Sequence, residues 1–492
     1  MAPSIAYSVT QSMVERVDAR AEQASTLVFI GASVRALTEA AVRAGLGAHN
    51  QLVAVDFFGD RETRRAADCW IPLAPDVAGI LELCAFLRGD GSAAERDDRL
   101  ANGSFTASGD VCFVMGGGVE PWWPDWVAPL ESFGRVLGPA PSGLHALGDL
   151  PCLIAPFADA VRCPQRLKGR VPETGHWWVK ALNRAGGLQV RPGAPLELTP
   201  SDCYVEAHVA GDEFSLSYWV DGEQIEVVCA AESAAEPVPG GRGKMETQIV
   251  HADPRQIPKA AAALAGRGAS VLTETLPRHL ARKLRYTGFL GFDFIRDAAG
   301  RCWLLDVNLR PTASMLCLPN FAALLARWVG AVGAETAKNV AATGCGATDA
   351  VRPRAIDLQD TGRPEDANRS DASLVLATKL PNTNRSLATD TPDTNRPMAK
   401  ALPRAACNDN SANAYAAFHV RATVFAPRDV DFDPACTNGL ADGPEVWLTD
   451  LPVGPQHFAQ GAPVCTVRAS GPERARVLQA AEALCARVRS VL

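Results

Sequence analysis

No stretch of about 18 uncharged apolar residues occurs in the 492-residue chain, so the sequence offers no membrane-spanning helix. Its fourteen cysteines are scattered singly and never form a Cys-x-x-Cys pair. Neither a zinc knuckle nor a disulfide framework is supported. Cys84, Cys112, Cys302 and Cys465 sit among hydrophobes, as reduced, buried thiols of a cytoplasmic protein would. The eight histidines show no ligand spacing, and His208 and His419 read as packed or surface residues of strands. A basic excess is also missing: the formal charge is −7, and broad nucleic-acid binding needs basic surface. The first 25 residues are polar, without the basic-then-apolar pattern of a secretion signal. No glycine loop ending in Gly-Lys-Ser/Thr follows a strand, and no three-glycine dinucleotide fingerprint is present.

What is there belongs to an enzyme-like globular chain. At 47% hydrophobic residues, it can bury several cores. Thr26 to Ile30 reads as a buried strand, Val34 to Ala44 as a helix ended by Gly45, and Leu52 to Asp56 as the next strand. This β-α-β order predicts a doubly wound parallel sheet. Val111 to Met115 is a later strand of that sheet, and the Gly116-Gly117-Gly118 run after it is either a ligand loop or a plain turn.

The most informative segment runs from Gly288 to Pro311. Two alternating apolar runs flank Arg296-Asp297-Ala298-Ala299-Gly300 and predict a β-hairpin. Asp293 lies on its first strand, Asp306 and Asn308 on its second, and alternation puts 306, 308 and 310 on one face. Two carboxylates and an amide oxygen are hard ligands suited to Mg²⁺, with Mn²⁺ an acceptable substitute. Arg310 would meet an anion held there. Solvated edge-strand carboxylates are the plain alternative, but Phe292, Phe294, Leu304 and Val307 mark buried strands, where unpaired charge is costly. Upstream, Trp177 to Val179 is a short strand ending in Lys180, and a loop carrying Gly186-Gly187 follows. A lysine beside a glycine loop suits nucleotide phosphates, although Gly-Gly pairs alone are mostly ordinary turns.

Together these motifs resemble the ATP-grasp superfamily, over about residues 25 to 330. The resemblance implies Asp293, Asp306 and Asn308 as metal ligands and Arg310 as the arginine facing an acyl phosphate. Lys180, Gly186 and Gly187 match its nucleotide lysine and glycine loop. The stretch Val205-Glu206 to Ser215 is similar to its adenine hinge, with Glu206 the hinge acid and Glu213 nearer the ribose; surface strand residues are the alternative for both. By order along the chain, Lys244 or Arg242 in Gly240-Gly-Arg-Gly-Lys244 would hold a substrate carboxylate, or lie on a surface loop. Two departures stand out. Asp306 replaces the usual glutamate, and the usual Asp-Lys is replaced by Asp149-Leu150, near which Arg166, Lys168 and Arg170 could substitute.

The fold class expected is α/β and α+β: an N-terminal doubly wound parallel-sheet domain, an ATP-grasp fold, and a small C-terminal β-rich appendage. The boundaries are a polar segment at 1–24, a Rossmann-like domain at 25–125, an ATP-grasp domain at 126–335, a disordered insert at 347–412 and an α+β domain at 413–492. The insert rests on its Asp, Asn, Thr and Pro richness and on the near-repeats Pro381 to Arg385 and Pro392 to Arg396. The activity implied is ADP-forming ligation of a small carboxylate to an amine through an acyl phosphate. Its cofactors are ATP and Mg²⁺, its setting small-molecule or cofactor biosynthesis of the tyramine–glutamate ligase kind, and a homodimer is compatible with it. The alternatives are carboxyphosphate chemistry of the carboxylase type, although no biotin-carrier Met-Lys-Met motif occurs, and a non-catalytic nucleotide-binding subunit.

Overall fold

The apolar runs of the first domain form a parallel sheet whose strand ends point at the rest of the molecule. The computed structural model describes residues 25–89, 107, 109–181, 190–233, 247–330, 417–440 and 445–492. The polar segment 1–24, the insert 347–412, Gly186, Gly187, Arg242 and Lys244 lie outside them. Strands β1 (Ser25–Ile30), β2 (Asn50–Asp56), β3 (Cys69–Pro72), β4 (Val111–Met115) and β5 (Arg135–Leu137) pair in parallel in the order β3-β2-β1-β4-β5. The order reverses between β1 and β4, where an open sheet of this kind forms its ligand crevice. Gly31 and Gly116 to Gly118 end those two strands, and Ala32 N donates to Gly117 O at 2.8 Å. Gly118 has φ +87°, and a Cβ there would stand 2.5 Å from that of Ala32, so the turn admits only glycine without displacement.

Short strands β6 (Val161–Arg162) and β7 (Arg166–Leu167) lead into β8 (Trp177–Ala181), β9 (Val190–Pro192) and β10 (Cys203–Ala207). Strands β7, β10, β8 and β9 make a small antiparallel sheet over Val171, Val179 and Val205. The chain then enters a larger sheet through β11 (Asp212–Asp221), β12 (Gln224–Ser233) and β13 (Thr247–His251). At this entry Gly211 lies against the Arg296 carbonyl, which a Cβ would approach to 2.2 Å.

The hairpin expected between Gly288 and Pro311 is β14 (Gly288–Arg296) and β15 (Cys302–Asn308). Strands β16 (Phe418–Phe425), β17 (Val430–Phe432), β18 (Val446–Thr449), β19 (Gln456–Phe458) and β20 (Pro463–Gly471) follow. Three of these C-terminal strands join the central sheet, giving among the described residues the order β18-β20-β16-β13-β12-β11-β14-β15-β6. One face of this sheet is apolar. Phe214, Leu216, Phe292 and Phe294 pack on the helices between Ile257 and Leu284, while Val420, Ala422, Val424 and Val467 pack on the closing helix Arg474–Ser490. The helix that the spacing of Val477, Ala481, Leu484 and Val488 predicts from Pro472 to Val491 runs from Arg474 to Ser490. No helix among the described residues is long and apolar enough to cross a membrane.

The other face carries the polar side chains, beside the buried Trp219, Phe289 and Val250. One register row crosses seven strands: Asp306, Asp293, Ser215, Ala231, Val250, His419 and Ser470 are successive partners. His419 is buried with no hydrogen-bond partner on Nε2, and burial, then the nearby Arg468, lowers its pKa to about 4. The folded state therefore resists a proton that the unfolded chain accepts from about pH 6.5 downward. Stability is fully present above that value and declines as pH falls from about 6.5 towards 4, by about 1.4 kcal/mol per unit of pKa difference. His419→Phe is expected to reduce the difference in urea stability between pH 7.5 and 4.5; an unchanged difference would contradict this origin.

Candidate functional site

A β-bulge decides which side chains of β15 leave the core. Phe294 pairs with Leu304, but Asp293 pairs with Asp306, so Leu305 is the extra residue. Cys302 and Leu304 face inward before the bulge, and Val307 and Leu309 after it. The slip in parity turns Asp306, Asn308 and Arg310 together onto the polar face, which strict alternation from Leu304 would have denied them. Asp293 and Asp306 stand directly opposite, and directly opposed like charges repel. Asn308 Nδ2 donates to Asp293 Oδ2 at 3.2 Å.

Burial first, and then Asp306, push the Asp293 carboxyl up to about 7. Asp306 reaches water, yet the surrounding protein strips enough of its hydration to raise its pKa, while Lys180 and Arg310 oppose that rise. Glu213 is raised by burial and lowered in turn by Lys180. Ser215, cross-strand neighbour of Asp293, is buried with an unpartnered Oγ. Two facing carboxylates, an amide and an orphaned hydroxyl form a donor set short of a cation, and hard oxygen donors of this kind fit Mg²⁺. Clusters of three or more His, Cys, Asp or Glu with metal geometry do not occur among the described residues, so the amide and water or phosphate oxygens would complete the shell.

The structure brings Lys180, Glu213, Asp293, Asp306, Asn308 and Arg310 to one place. Glu206 belongs to the same place but is not free. It is 1% exposed and accepts from Lys180 Nζ and, at 3.0 Å, from Arg166 Nε. Its side chain thus holds the lysine, whereas the chain's turn into the large sheet is built by residues 208–211. Arg166 also donates from Nη2 to the Leu305 carbonyl at 3.3 Å, taking the acceptor that the bulge frees, and its guanidinium lies 5.0 Å over the Tyr204 ring. Of the three basic residues near the missing upstream lysine, Arg166 is the one that converges with Lys180.

One partner escaped sequence reasoning. Glu120 forms an ion pair with Arg310 Nε and reaches the site from the glycine loop after β4. Gly117 lies on the Arg310 guanidinium, about 3.1 to 3.2 Å from where its Cβ would be. An acidic residue directly behind a glycine run at a strand end was the available signal. Ser215 and Ser217 were legible too, since they alternate with Glu213 on β11.

No protein-family model matches the chain, and no curated protein matches it in sequence. Solved structures do match it in fold. Carboxyaminoimidazole ribonucleotide synthase from Aspergillus clavatus complexed with ATP aligns at 8% identity over 96% of this chain and 100% of that one, with a TM-score of 0.53. An ADP complex of N5-carboxyaminoimidazole ribonucleotide synthetase aligns at 11% identity over 95% and 98%, with a TM-score of 0.51. The biotin carboxylase domain of Hydrogenobacter thermophilus 2-oxoglutarate carboxylase, with MgADP, ADP and bicarbonate, aligns at 10% over 95% and 89%, also at 0.51. These are ATP-grasp enzymes, and the chain has the ATP-grasp fold.

Glu206→Gln keeps the shape of the side chain but removes the charge that Lys180 and Arg166 share. Urea unfolding is expected to show a loss of about 1.5–3 kcal/mol, the usual worth of hydrogen bonds to a charged group. An unchanged midpoint would remove Glu206 from the role of anchor.

Proposed function

We propose that the protein is an ATP-dependent, ADP-forming ligase that joins a small-molecule carboxylate to an amine through an acyl phosphate. The observation that carries this reading is the cross-strand pair Asp293 and Asp306, with Asn308 and Arg310 beside it and Lys180 facing it from a second sheet. Asp293, Asp306 and Asn308 would hold Mg²⁺, which supplies charge neutralisation on the nucleotide phosphates and on the oxygen of the phosphoryl acceptor. Lys180, fixed by Glu206, presents its ammonium to the phosphates. Gly186 and Gly187 are assigned to the loop over them, and Glu213 to the nucleotide's ribose side. Lys244 is assigned to the substrate carboxylate.

Arg310 is the group that meets charge on the acyl phosphate. Its guanidinium is held on Gly117 and oriented by Glu120, so it need not reorganise as charge develops. The carboxylate oxygen attacks the γ-phosphorus and the bond to the β–γ bridging oxygen breaks, leaving ADP. Attack of the amine on the acyl carbon then expels phosphate and leaves the amide. The opposed carboxylates favour a bound dication at neutral or higher pH, because Asp293 must lose its proton to become a ligand. Biosynthesis of a small molecule or cofactor is the setting we assign.

A second reading has one observation in its favour. The likeness to a bicarbonate-bound biotin carboxylase domain covers 95% of this chain, and bicarbonate is therefore a competing phosphoryl acceptor. ADP release that requires bicarbonate, with no response to organic acids, would select that reading.

The test is direct. MgATP is expected to raise the melting temperature of the purified protein, and ADP release is expected to depend on an acid and amine pair. Asp306→Ala should lower magnesium-dependent ADP release by about a hundredfold or more while the melting temperature without nucleotide is kept. That fall corresponds to several kcal/mol of charge stabilisation by a bound cation. A protein that MgATP does not stabilise is not this enzyme. One that MgATP stabilises but that releases no ADP is a nucleotide-binding subunit.

A further inference from the structure

Away from the opposed carboxylates, a cavity of about 230 Å³ opens between the first βα loop, the segment after Arg310 and the C-terminal strands. Ser33, Arg35 and Asp60 line one wall, Ala313 and Leu316 another, and Arg421, Thr423, Asp450, Thr466 and Arg468 the third. Its charges are unevenly satisfied. Arg35 is buried and engaged by both Asp450 and Glu39. Asp60 accepts from Thr63 N at 2.7 Å and Thr63 Oγ1 at 2.9 Å, capping the short helix Arg61–Ala66. Asp450, φ +61°, is held well below the carboxylate range, down to about 2, by Arg35, Thr466 and Arg421 against the cost of its burial. Every carboxylate on the wall already has donors.

The arginines of the third wall do not have matching acceptors. Arg421 and Arg468 are direct cross-strand partners on β16 and β20, an arrangement that repels unless an anion intervenes. Arg468 spends one nitrogen, Nη2, on the Leu316 carbonyl at 3.1 Å and the Cys317 sulfur at 3.4 Å. Arg421 has no hydrogen-bond acceptor among the described residues, although its guanidinium borders the cavity. Burial, followed by Arg468 and Arg35, makes its positive charge costly, and Asp450 offsets only part of this. The helix Arg35–Arg43 begins at the same cavity, but its N-cap Val34 N–H already donates to Asp56 Oδ2 at 3.1 Å, so the unmet positive charge is that of the arginines.

The cavity is also close to the chemistry. Ala313 lies three residues beyond Arg310, at most about 10 Å along the chain. Ser33 follows Ala32, which packs on the glycine loop against which the Arg310 guanidinium lies. At about 230 Å³ the space is below the ~300 Å³ at which pockets for drug-sized ligands begin. The occupant is small.

We propose that this cavity binds the organic substrate of the ligase through an oxyanion group remote from its reacting end, held between Arg421 and Arg468. The class is a small acid bearing a second carboxylate, a phosphate or a sulfonate. This assignment rests on the ligase reading of the neighbouring carboxylate site, whereas the anion chemistry of the cavity can be measured alone.

Inorganic phosphate, titrated without nucleotide, is expected to raise the melting temperature of the intact protein saturably. Arg421→Gln should weaken that response about tenfold or more, and Arg421→Lys should restore part of it, because a charged hydrogen bond is at stake. The MgATP response should be the same in all three proteins, which separates a lost anion site from a damaged fold. With acids matched in pairs, with and without a second anionic group, ADP release should prefer the doubly anionic member. In Arg421→Gln that preference should fall through a KM raised tenfold or more. Phosphate that fails to stabilise the protein, or stabilises Arg421→Gln equally, overturns the proposal. A phosphate response lost in Arg421→Gln but without any preference among acids makes the cavity a free-phosphate site and overturns the substrate role. If MgATP stabilises none of the proteins while phosphate still distinguishes Arg421→Gln, the ligase reading falls and the anion site remains.

Discussion

The extra residue at Leu305 governs the site. A strand packed against a core has one parity available to it, and without the bulge Asp306 would share the inward face of Leu304. With it, Asp306, Asn308 and Arg310 point away from the core while Val307 and Leu309 return to it. A bulge leaves a backbone carbonyl without its ladder partner, and Arg166 supplies one. The same arginine grips Glu206, and Glu206 grips Lys180. The bulge that aims the acidic side chains is therefore tied, by one buried hydrogen-bonded chain, to the lysine opposite them.

That arrangement is costly by itself. Asp293 and Asp306 face each other across a strand pair, partly dehydrated, and their carboxyl groups respond by holding protons more tightly. Arg310 and Lys180 offset some of the repulsion, and Glu120 keeps Arg310 from collapsing onto the pair. Groups held against their electrostatic preference by a rigid sheet are characteristic of binding sites.

Much of this was readable in the sequence. The hairpin, the parallel pairing of the first domain's strands and the closing helix followed from alternation, turn residues and period, because each is a local pattern. The grouping of Asp293, Asp306, Asn308 and Arg310 was legible for the same reason. The tertiary partners were not. Glu206 reads as an exposed hinge acid until the antiparallel pairing of β10 with β8 and β7 puts it beside Lys180 and Arg166. Glu120 and Arg310 lie 190 residues apart, and no short-range pattern couples them. The pairing of Arg421 with Arg468 likewise exists only once β16 and β20 are in register.

The junction between β13 and β16 has a further consequence. These strands lie about 170 residues apart in sequence, yet five backbone pairs join them within a single ladder. Separating the C-terminal strands from the body would leave β13 with bare amide and carbonyl groups along one side, the kind of edge on which chains aggregate. The late part of the polypeptide is thus stitched into the middle of the molecule, and an attempt to express the first two-thirds alone would yield a protein with an open seam.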